Sequence, residues 1–488
     1  MKRLFTSFRE KRDRSLSRAI GMAAGPILFA IVLLIPAPSS VPEQAWSVVA
    51  LIAWMIAWWV TEAVPIAVTS LLPALLPPLL GVLTPKEATE PYAEPVIFLM
   101  LGGFMIAVAI EQWGLHKRFA WGIMAAVGPS PGRLLLGIML ATAFLSMWIS
   151  NTATVMMMVP LGIAITTQFA TQESSKRGLG FSAALMLGIA FAGSAGGMGT
   201  LIGSPPNAIF AGVAKESLGR SIGFGEWFIF ALPVAIILLV FVWAVIYFMV
   251  RRRGVTFGGD VREMVKEERA ALGRIAGAEL RVLIVFVLVA VAWIIRPFVL
   301  GDLVPNLTDT AIALSGAVLL FLIPSGRTRG ERLLDWGSAK RINYGVLILM
   351  GGGLSLARSV KDSGLGDWLV ESLSGLDVLS LGLILLITCA IVSILTQFVS
   401  NTAVATLFLP ISISISESLG VAPLPLMATV ALAASAAFVT PVATPPNAIV
   451  FASGEVSIGQ MAKAGLIVNV VAILLVALMS LVWQPVVW

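Results

Sequence analysis

The residues best equipped for chemistry in this chain are two copies of one tetrapeptide. Ser150-Asn151-Thr152-Ala153 recurs as Ser400-Asn401-Thr402-Ala403, 250 residues further on. Hydroxyls and a primary amide are neutral donors that can surround a carboxylate. With free backbone carbonyls, the same groups are oxygen ligands for a hard cation such as sodium. Ser, Asn and Thr also join helices by hydrogen bonds, and one copy alone would read equally well that way. Two copies at matched positions favour a paired binding site.

The recurrence extends beyond the tetrapeptides. Pro160 and Pro410, Gly102-Gly103 and Gly352-Gly353, and Gly114-Leu115 and Gly364-Leu365 also stand 250 residues apart. Pro205-Pro206-Asn207-Ala208-Ile209 recurs 240 residues on as Pro445-Pro446-Asn447-Ala448-Ile449. Matched blocks in one order mark an internal repeat. Paired prolines remove a donor and clash with the preceding turn. Breaks are therefore expected at Gly203-Ser204-Pro205-Pro206-Asn207 and Thr444-Pro445-Pro446-Asn447, each splitting a helix and freeing carbonyls.

These blocks are embedded in a very apolar chain. Its 488 residues are 58% hydrophobic and 12% charged, with a mean hydropathy of +0.97. A soluble domain carries about twice that charge, and apolar runs of ~20 residues are what a helix needs to cross a bilayer. The pattern predicts an all-α polytopic membrane protein with eleven spans. They fall near 20–36, 44–61, 64–83, 96–118, 181–213, 226–250, 280–297, 308–323, 344–362, 424–452 and 463–485. Two polar-centred stretches, 132–170 and 378–416, hold the tetrapeptides.

Loop charge orients this arrangement. Lys117, Arg118, Arg133, Lys176 and Arg177 fall on one side, as do Arg251 to Arg274 and Arg327 to Arg341. The opposite loops are poorer, although Lys215 and Arg220 break the pattern. The rule holds only if both polar-centred stretches enter and leave on one side, as re-entrant hairpins. Five crossings then separate the fourth span from the ninth, which inverts the second repeat. Interrupted, inverted repeats meeting at the midplane are a transporter design. The first hairpin is expected to open from the cytoplasm and the second from outside.

The expected organisation is a basic cytoplasmic tail, 1–19, and scaffold helices, 20–131. A transport region, 132–225, and scaffold 226–377 with a cytoplasmic linker at 251–280 follow. A second transport region, 378–462, and a last helix, 463–488, complete the chain. The start, MKRLFTSFREKRDRSLSRAI, is too long and basic for a signal-peptide n-region, and no small-residue cleavage site follows. A multi-pass inner (plasma) membrane protein with its N-terminus in the cytoplasm is expected.

Other chemistry is thin. The one cysteine, Cys389, lies in an apolar run and cannot form a disulfide within the chain. The one histidine, His116, sits beside Lys117 and Arg118 and reads as interfacial. No catalytic triad, metal cluster or Gly-Lys-Thr phosphate loop is present, so no enzyme is expected. The net charge of +6 reflects loop bias and implies no nucleic-acid partner. Glu62 is the main candidate for a buried carboxylate, and a helix end beside an aromatic pair reads as interfacial. Without buried Lys or Arg, an anionic substrate needs bound cations to offset its charge. The lack of a carboxylate or histidine chain favours sodium over protons.

The twin Ser-Asn-Thr tips, both Pro-Asn breaks and the Trp58-Trp59-Val60-Thr61-Glu62-Ala63-Val64-Pro65 stretch together resemble the divalent anion:sodium symporters, which carry di- and tricarboxylates. That resemblance implies eleven helices, two re-entrant hairpins and a homodimer moving its transport domains as elevators. It implies that Ser150, Asn151 and Thr152 face one substrate carboxylate, and Ser400, Asn401 and Thr402 the other, with Pro441 lining the site. A first sodium would be held by Ser146, Ser150, Asn151 and Gly199. A second would be held by Thr396, Val399, Asn401 and Val439, the valines through their carbonyls. Val439 departs from the small residue expected there. The cargo implied is a C4-dicarboxylate such as succinate, malate or fumarate. A sodium-independent exchanger, or the same fold carrying citrate or sulfate, is the alternative.

Overall fold

The computed structural model describes residues 2–128, 130–169, 180–251, 261–275, 277–372 and 380–488. Lys176, Arg177, Arg252, Arg253 and the 377–378 boundary lie outside them. The regular structure described is helical throughout, with an isolated bridge between Pro324 and Arg332. Five helices are long and apolar enough to cross a membrane: Glu43–Thr61, Pro85–Gln112, Phe224–Val250, Gly277–Leu300 and Ile458–Val487. Leu288, Leu478 and Val482 stand exposed along them, at 62%, 57% and 60%. A lipid tail covers such side chains at no hydrophobic cost.

Each polar-centred stretch is a helical hairpin. Hairpin 1 has arms Pro131–Ser146 and Asn151–Phe169, and hairpin 2 has arms Leu381–Leu395 and Asn401–Ser418. Each turn carries the tetrapeptide serine. Pro160 and Pro410 sit at matched places inside the second arms. Two broken helices follow the hairpins. Broken helix 1 is Phe181–Gly197 and Pro205–Leu218, and broken helix 2 is Pro423–Ser435 and Pro445–Ala452. Their first halves form the centre of the molecule. All of Phe181–Gly197 is buried except Ser182, and all of Pro423–Ser435 except Pro423 and Leu424. These segments are rich in Ala and Gly, which lets neighbouring backbones approach closely where dispersion, not water exclusion, holds helices together.

The breaks lie earlier than the prolines suggest. The unwound segments are 198–204 and 436–444, and Pro205-Pro206 and Pro445-Pro446 are the first two residues of the second half-helices. A first-turn proline lacks only an N–H that would be unpaired anyway, so the pair starts a helix instead of sitting in its gap.

Other boundaries also move. The first helix runs from Lys2 to Leu34, so residues 2–19 are helical and continuous with the apolar stretch Arg18–Leu34. The expected span 64–83 is two short helices, Ile66–Thr69 and Leu72–Leu79. The Ser70 carbonyl between them is taken by the Tyr92 hydroxyl at 2.5 Å. A Cβ on Gly352 would overlap that same carbonyl, so the repeated Gly-Gly pair is a packing contact. The expected span 96–118 stops at Gln112, and a new helix starts at Leu115. Gly114 and its repeat Gly364 make this turn with φ of +76° and +78°, a conformation costly for other residues. The expected linker helix is present as Val261–Ala271, packed on Leu115–Val127.

One buried carboxylate escaped the sequence reading. Glu62 is an exposed helix cap with φ +47° beside Arg18. Asp309, 8% exposed, is the charged residue fully buried among the described residues. It pairs with Arg296 through both oxygens and accepts the Phe224 N–H at 2.7 Å. The Asp309 carbonyl also accepts Trp293 Nε1 at 2.9 Å, so this residue ties together three helices. Asp309→Ala should cost about 3–5 kcal/mol, the usual penalty for orphaning one member of a buried pair. Asp309→Asn, which keeps an acceptor for Phe224, should cost less. Thermal unfolding of the purified protein in detergent checks the order, and equal midpoints for wild type and the alanine variant would refute it.

Candidate functional site

At hairpin 1, Ser146 ends the first arm, and its hydroxyl lies 2.5 Å from the Asn151 side-chain amide and 2.7 Å from Gly193 O. The amide atom facing Ser146 also lies 3.1 Å from Gly203 O and 3.3 Å from Gly193 O. The cluster is therefore rich in oxygen, with one hydroxyl proton to share. Asn151 satisfies it in either of two ways. Nδ2 turned inward donates to the carbonyls and to Ser146. Oδ1 turned inward completes an all-oxygen cage, which suits a hard cation.

Hairpin 2 repeats this arrangement. Thr396 Oγ1 lies 2.7 Å from Asn401 Oδ1 and 2.8 Å from Ala434 O. Again one hydroxyl proton faces two acceptors. Ser146 and Thr396 are both fully buried, and Asn151 and Asn401 are half-buried.

The tips are joined to the breaks by a second repeated pattern. Thr200 Oγ1 donates to Met147 O at 2.5 Å, and Thr440 Oγ1 donates to Gln397 O at 2.9 Å. Asn207 Nδ2 donates to Gly197 O, Met198 O and Thr200 O at 3.0, 3.3 and 2.8 Å. Asn447 Nδ2 donates to Ala437 O and Thr440 O, both at 3.0 Å. The break asparagines thus cap the carbonyls that unwinding frees. An unsatisfied backbone group in hydrocarbon costs several kcal/mol, so a capped break is the tolerable kind.

The two half-sites interlock. The second arm of each hairpin packs on the second half-helix of the other repeat: Asn151–Phe169 on Pro445–Ala452, and Asn401–Ser418 on Pro205–Leu218. Ser204 and Ser435 hydroxyls meet at 3.1 Å, and Phe191 and Phe438 rings at 5.3 Å. Ser150 and Ser400 each immediately precede a second arm, of 19 and 18 residues, so two helix N-termini with their partial positive charge lie at the tips.

Of the residues named from sequence, Ser146 and Asn151 form one cluster, and Thr396 and Asn401 the other. Ser150 and Ser400 immediately precede the second arms, with Thr152 and Thr402 the second residue of each arm. Gly199, Val439 and Pro441 lie in the unwound segments, and Val399 in the turn of hairpin 2. The carbonyls closest to the Asn151 amide belong to Gly193 and Gly203, which sequence reasoning missed. Glycines facing a tip were the available signal, and many other glycines obscured it.

The half-sites differ in exposure. Trp148, in the first tip, is buried against Phe224, Trp293 and Phe286, with ring centroids 5.9, 6.5 and 4.9 Å away. Phe398, its counterpart 250 residues on, is 70% exposed, and Val442 in the second break is 68% exposed.

A helical membrane protein with two capped helix breaks and two oxygen-lined hairpin tips belongs to the class of secondary transporters. Residues 17–488 match the family model described as the sodium:sulfate symporter transmembrane region, and the chain belongs to that family. It is 40% identical over 484 residues to a protein from Staphylococcus saprophyticus named sodium-dependent dicarboxylate transporter SdcS, covering 97% of this chain and 93% of that one. A protein of the same name from Staphylococcus aureus is 41% identical over 490 residues, covering 99% and 94%. These relatives are transporters and not enzymes. In fold, the chain is similar to the Alcanivorax borkumensis YdaH transporter, with a TM-score of 0.54, 17% identity and coverage of 84% and 88%. It is also similar to Neisseria gonorrhoeae MtrF, with a TM-score of 0.56, 14% identity and coverage of 81% and 82%.

Proposed function

We propose that this protein is a sodium-coupled importer of C4-dicarboxylates such as succinate, malate or fumarate, working as a homodimer in the plasma membrane. The observation that carries this reading is the pair of oxygen clusters, Ser146–Asn151–Gly193–Gly203 and Thr396–Asn401–Ala434. Each gathers hydroxyl and carbonyl oxygens around an asparagine whose Oδ1 can face them, which suits a cation. The first sodium is assigned to Ser146, Ser150, Asn151 and Gly199, and the second to Thr396, Val399, Asn401 and Val439. Ser150, Asn151 and Thr152 then hold one carboxylate of the dianion and Ser400, Asn401 and Thr402 the other, beside Pro441. The names of the staphylococcal relatives support both cargo and coupling.

The physical logic is charge balance. No Lys or Arg is fully buried among the described residues. A dianion brought to neutral hydroxyls and amides in a low-dielectric setting is costly, and cations at the same tips offset its charge. Cation binding turns Asn151 oxygen-inward and holds Asn401 in that orientation, which fixes the tips that the carboxylates then meet. Substrate affinity therefore rises with sodium, and sodium affinity with substrate.

Alternating access of elevator type is supported by the unequal tips. Trp148 is docked on Phe286 and Trp293 of the scaffold while its counterpart Phe398 is exposed. In a repeat of opposite orientation, the alternate state exchanges these roles. The N-terminus is assigned to the cytoplasm on loop charge.

Uptake of labelled succinate into proteoliposomes should rise at least tenfold with an inward sodium gradient over choline. Equal uptake in choline would overturn the coupling. Excess unlabelled citrate or sulfate added in the sodium arm reads the cargo directly, and stronger competition by sulfate than by malate would overturn the dicarboxylate assignment.

A further inference from the structure

The two half-sites match closely enough that their differences can be read position by position. Met147 and Gln397 are equivalent, since their carbonyls accept from Thr200 and Thr440 respectively. Ala143 and Ser393 are equivalent at the same 250-residue separation. A further block, Ser221-Ile222-Gly223, recurs 236 residues on as Ser457-Ile458-Gly459, and it sets Pro233 opposite Asn469. At all three positions the first repeat is apolar and the second is polar.

Those three polar side chains form one network. Gln397 and Asn469 are each 5% exposed and Ser393 is fully buried. Asn469 Nδ2 donates to Ser393 Oγ at 2.8 Å, and Ser393 Oγ donates to Ala436 O at 3.0 Å. Gln397 Nε2 is shared by Ser393 O at 2.9 Å, Asn469 Oδ1 at 3.2 Å and Ala436 O at 3.3 Å. Gln397 Oε1 accepts the Val439 N–H at 3.0 Å. The network therefore holds both ends of the 436–439 turn. It is anchored on Ile458–Val482, a helix that packs on both Leu381–Leu395 and Pro423–Ser435.

We infer that Gln397, Ser393 and Asn469 are positioning residues that pre-set the Val439 carbonyl of the second cation site, a device the first half-site lacks. This rests on the sodium reading above and goes beyond it by making the two cation sites unequal. An amide inside an apolar spanning helix is expensive unless paired or useful. Ordinary helix glue would be served by Asn469 and Ser393 alone. Gln397 adds a bond to one N–H in the unwound segment, where a plain strut has no reason to reach. Pre-organisation of a ligand shell strengthens binding because less ordering is left for the ion to impose.

The test uses purified full-length protein with the first repeat's own solution installed, Gln397→Met, and with Asn469→Leu. Sodium is read in two ways: half-saturation of succinate uptake, and the sodium-induced rise in melting temperature without substrate. Both variants should raise half-saturating sodium at least fivefold and flatten the dependence. Half-saturating succinate at saturating sodium should stay within about twofold. Gln397→Glu, which keeps the acceptor for Val439, should recover most of the sodium dependence. A variant with a lower melting temperature but wild-type half-saturating sodium would overturn the inference, leaving the network as structural glue. If Gln397→Met fails to fold, Ser393→Ala carries the same two readouts. Wild-type protein indifferent to sodium in both readouts would instead sink the sodium reading itself.

Discussion

Asn151→Ala should abolish sodium-driven dicarboxylate uptake, lowering its initial rate by about 10- to 100-fold, with the protein still folded. The magnitude is that of one hydrogen bond or ligand to a charged group, about 1.5–3 kcal/mol. The side chain has two jobs at once. Its amide faces Ser146 Oγ, Gly193 O and Gly203 O, and it opens the helix whose N-terminus faces the tip. Alanine keeps the helix start and removes the amide, so folding survives while the cage loses its adjustable member. Asn401→Ala should act alike at the second tip, where Thr396 and Ala434 remain. Ser146→Ala should raise half-saturating sodium more than half-saturating succinate, because Ser146 touches the cage and not the helix start. Uptake assays beside size-exclusion profiles check all three, and normal transport by Asn151→Ala would undo the site assignment.

How much of this was legible in the residues depended on whether a signal was local. The hairpin tips were, because the tetrapeptide recurs unchanged and a hydroxyl four residues before each copy recurs with it, as Ser146 and Thr396. The packing glycines were visible for the same reason, whereas Gly114 recurred as Gly364 but its turn was read as the inside of a span. The breaks were placed five and eight residues late (203 against 198, 444 against 436), because two prolines look like the interruption when they are its downstream edge. Their asparagines were seen as part of a motif, but their role as caps depends on carbonyls seven to ten residues earlier. That return of the chain on itself has no pattern in composition. The split of the expected third span falls four residues before Pro73, which lacks the N–H that would continue the helix, and Tyr92, 22 residues away, takes the Ser70 carbonyl left there. Asp309 was hidden because its partner Arg296 was assigned to a different helix end. The Gln397 network was hidden because one arm comes from Asn469, 72 residues on.

The break asparagines give a sharper test of the fold than the tips do, because burial should decide which copy matters more. Asn207→Leu preserves volume and removes the donor to three carbonyls at once. Each buried acceptor left bare costs about 1–3 kcal/mol. Met198 O keeps Trp227 Nε1 at 3.0 Å and Thr200 O keeps the Gly203 N–H at 3.4 Å, so Gly197 O is the acceptor left without a donor. Water cannot substitute, since the first break, 198–204, is buried along its whole length. This variant should lower the melting temperature and the yield of monodisperse protein in detergent more than the matching change at Asn447. Asn447→Leu removes the donor to Ala437 O and Thr440 O, and Thr440 O keeps the Ala443 N–H at 3.3 Å. The second break is half-buried from Val439 to Pro441 and open at Val442, so solvent can take over part of the capping. Asn447→Leu should therefore fold, with a melting temperature lowered by several degrees, and fail chiefly in transport because the Val439 turn has lost its shape. Equal yields and equal melting temperatures for the two variants would show that the breaks are held by packing alone, and that the asparagine caps are incidental.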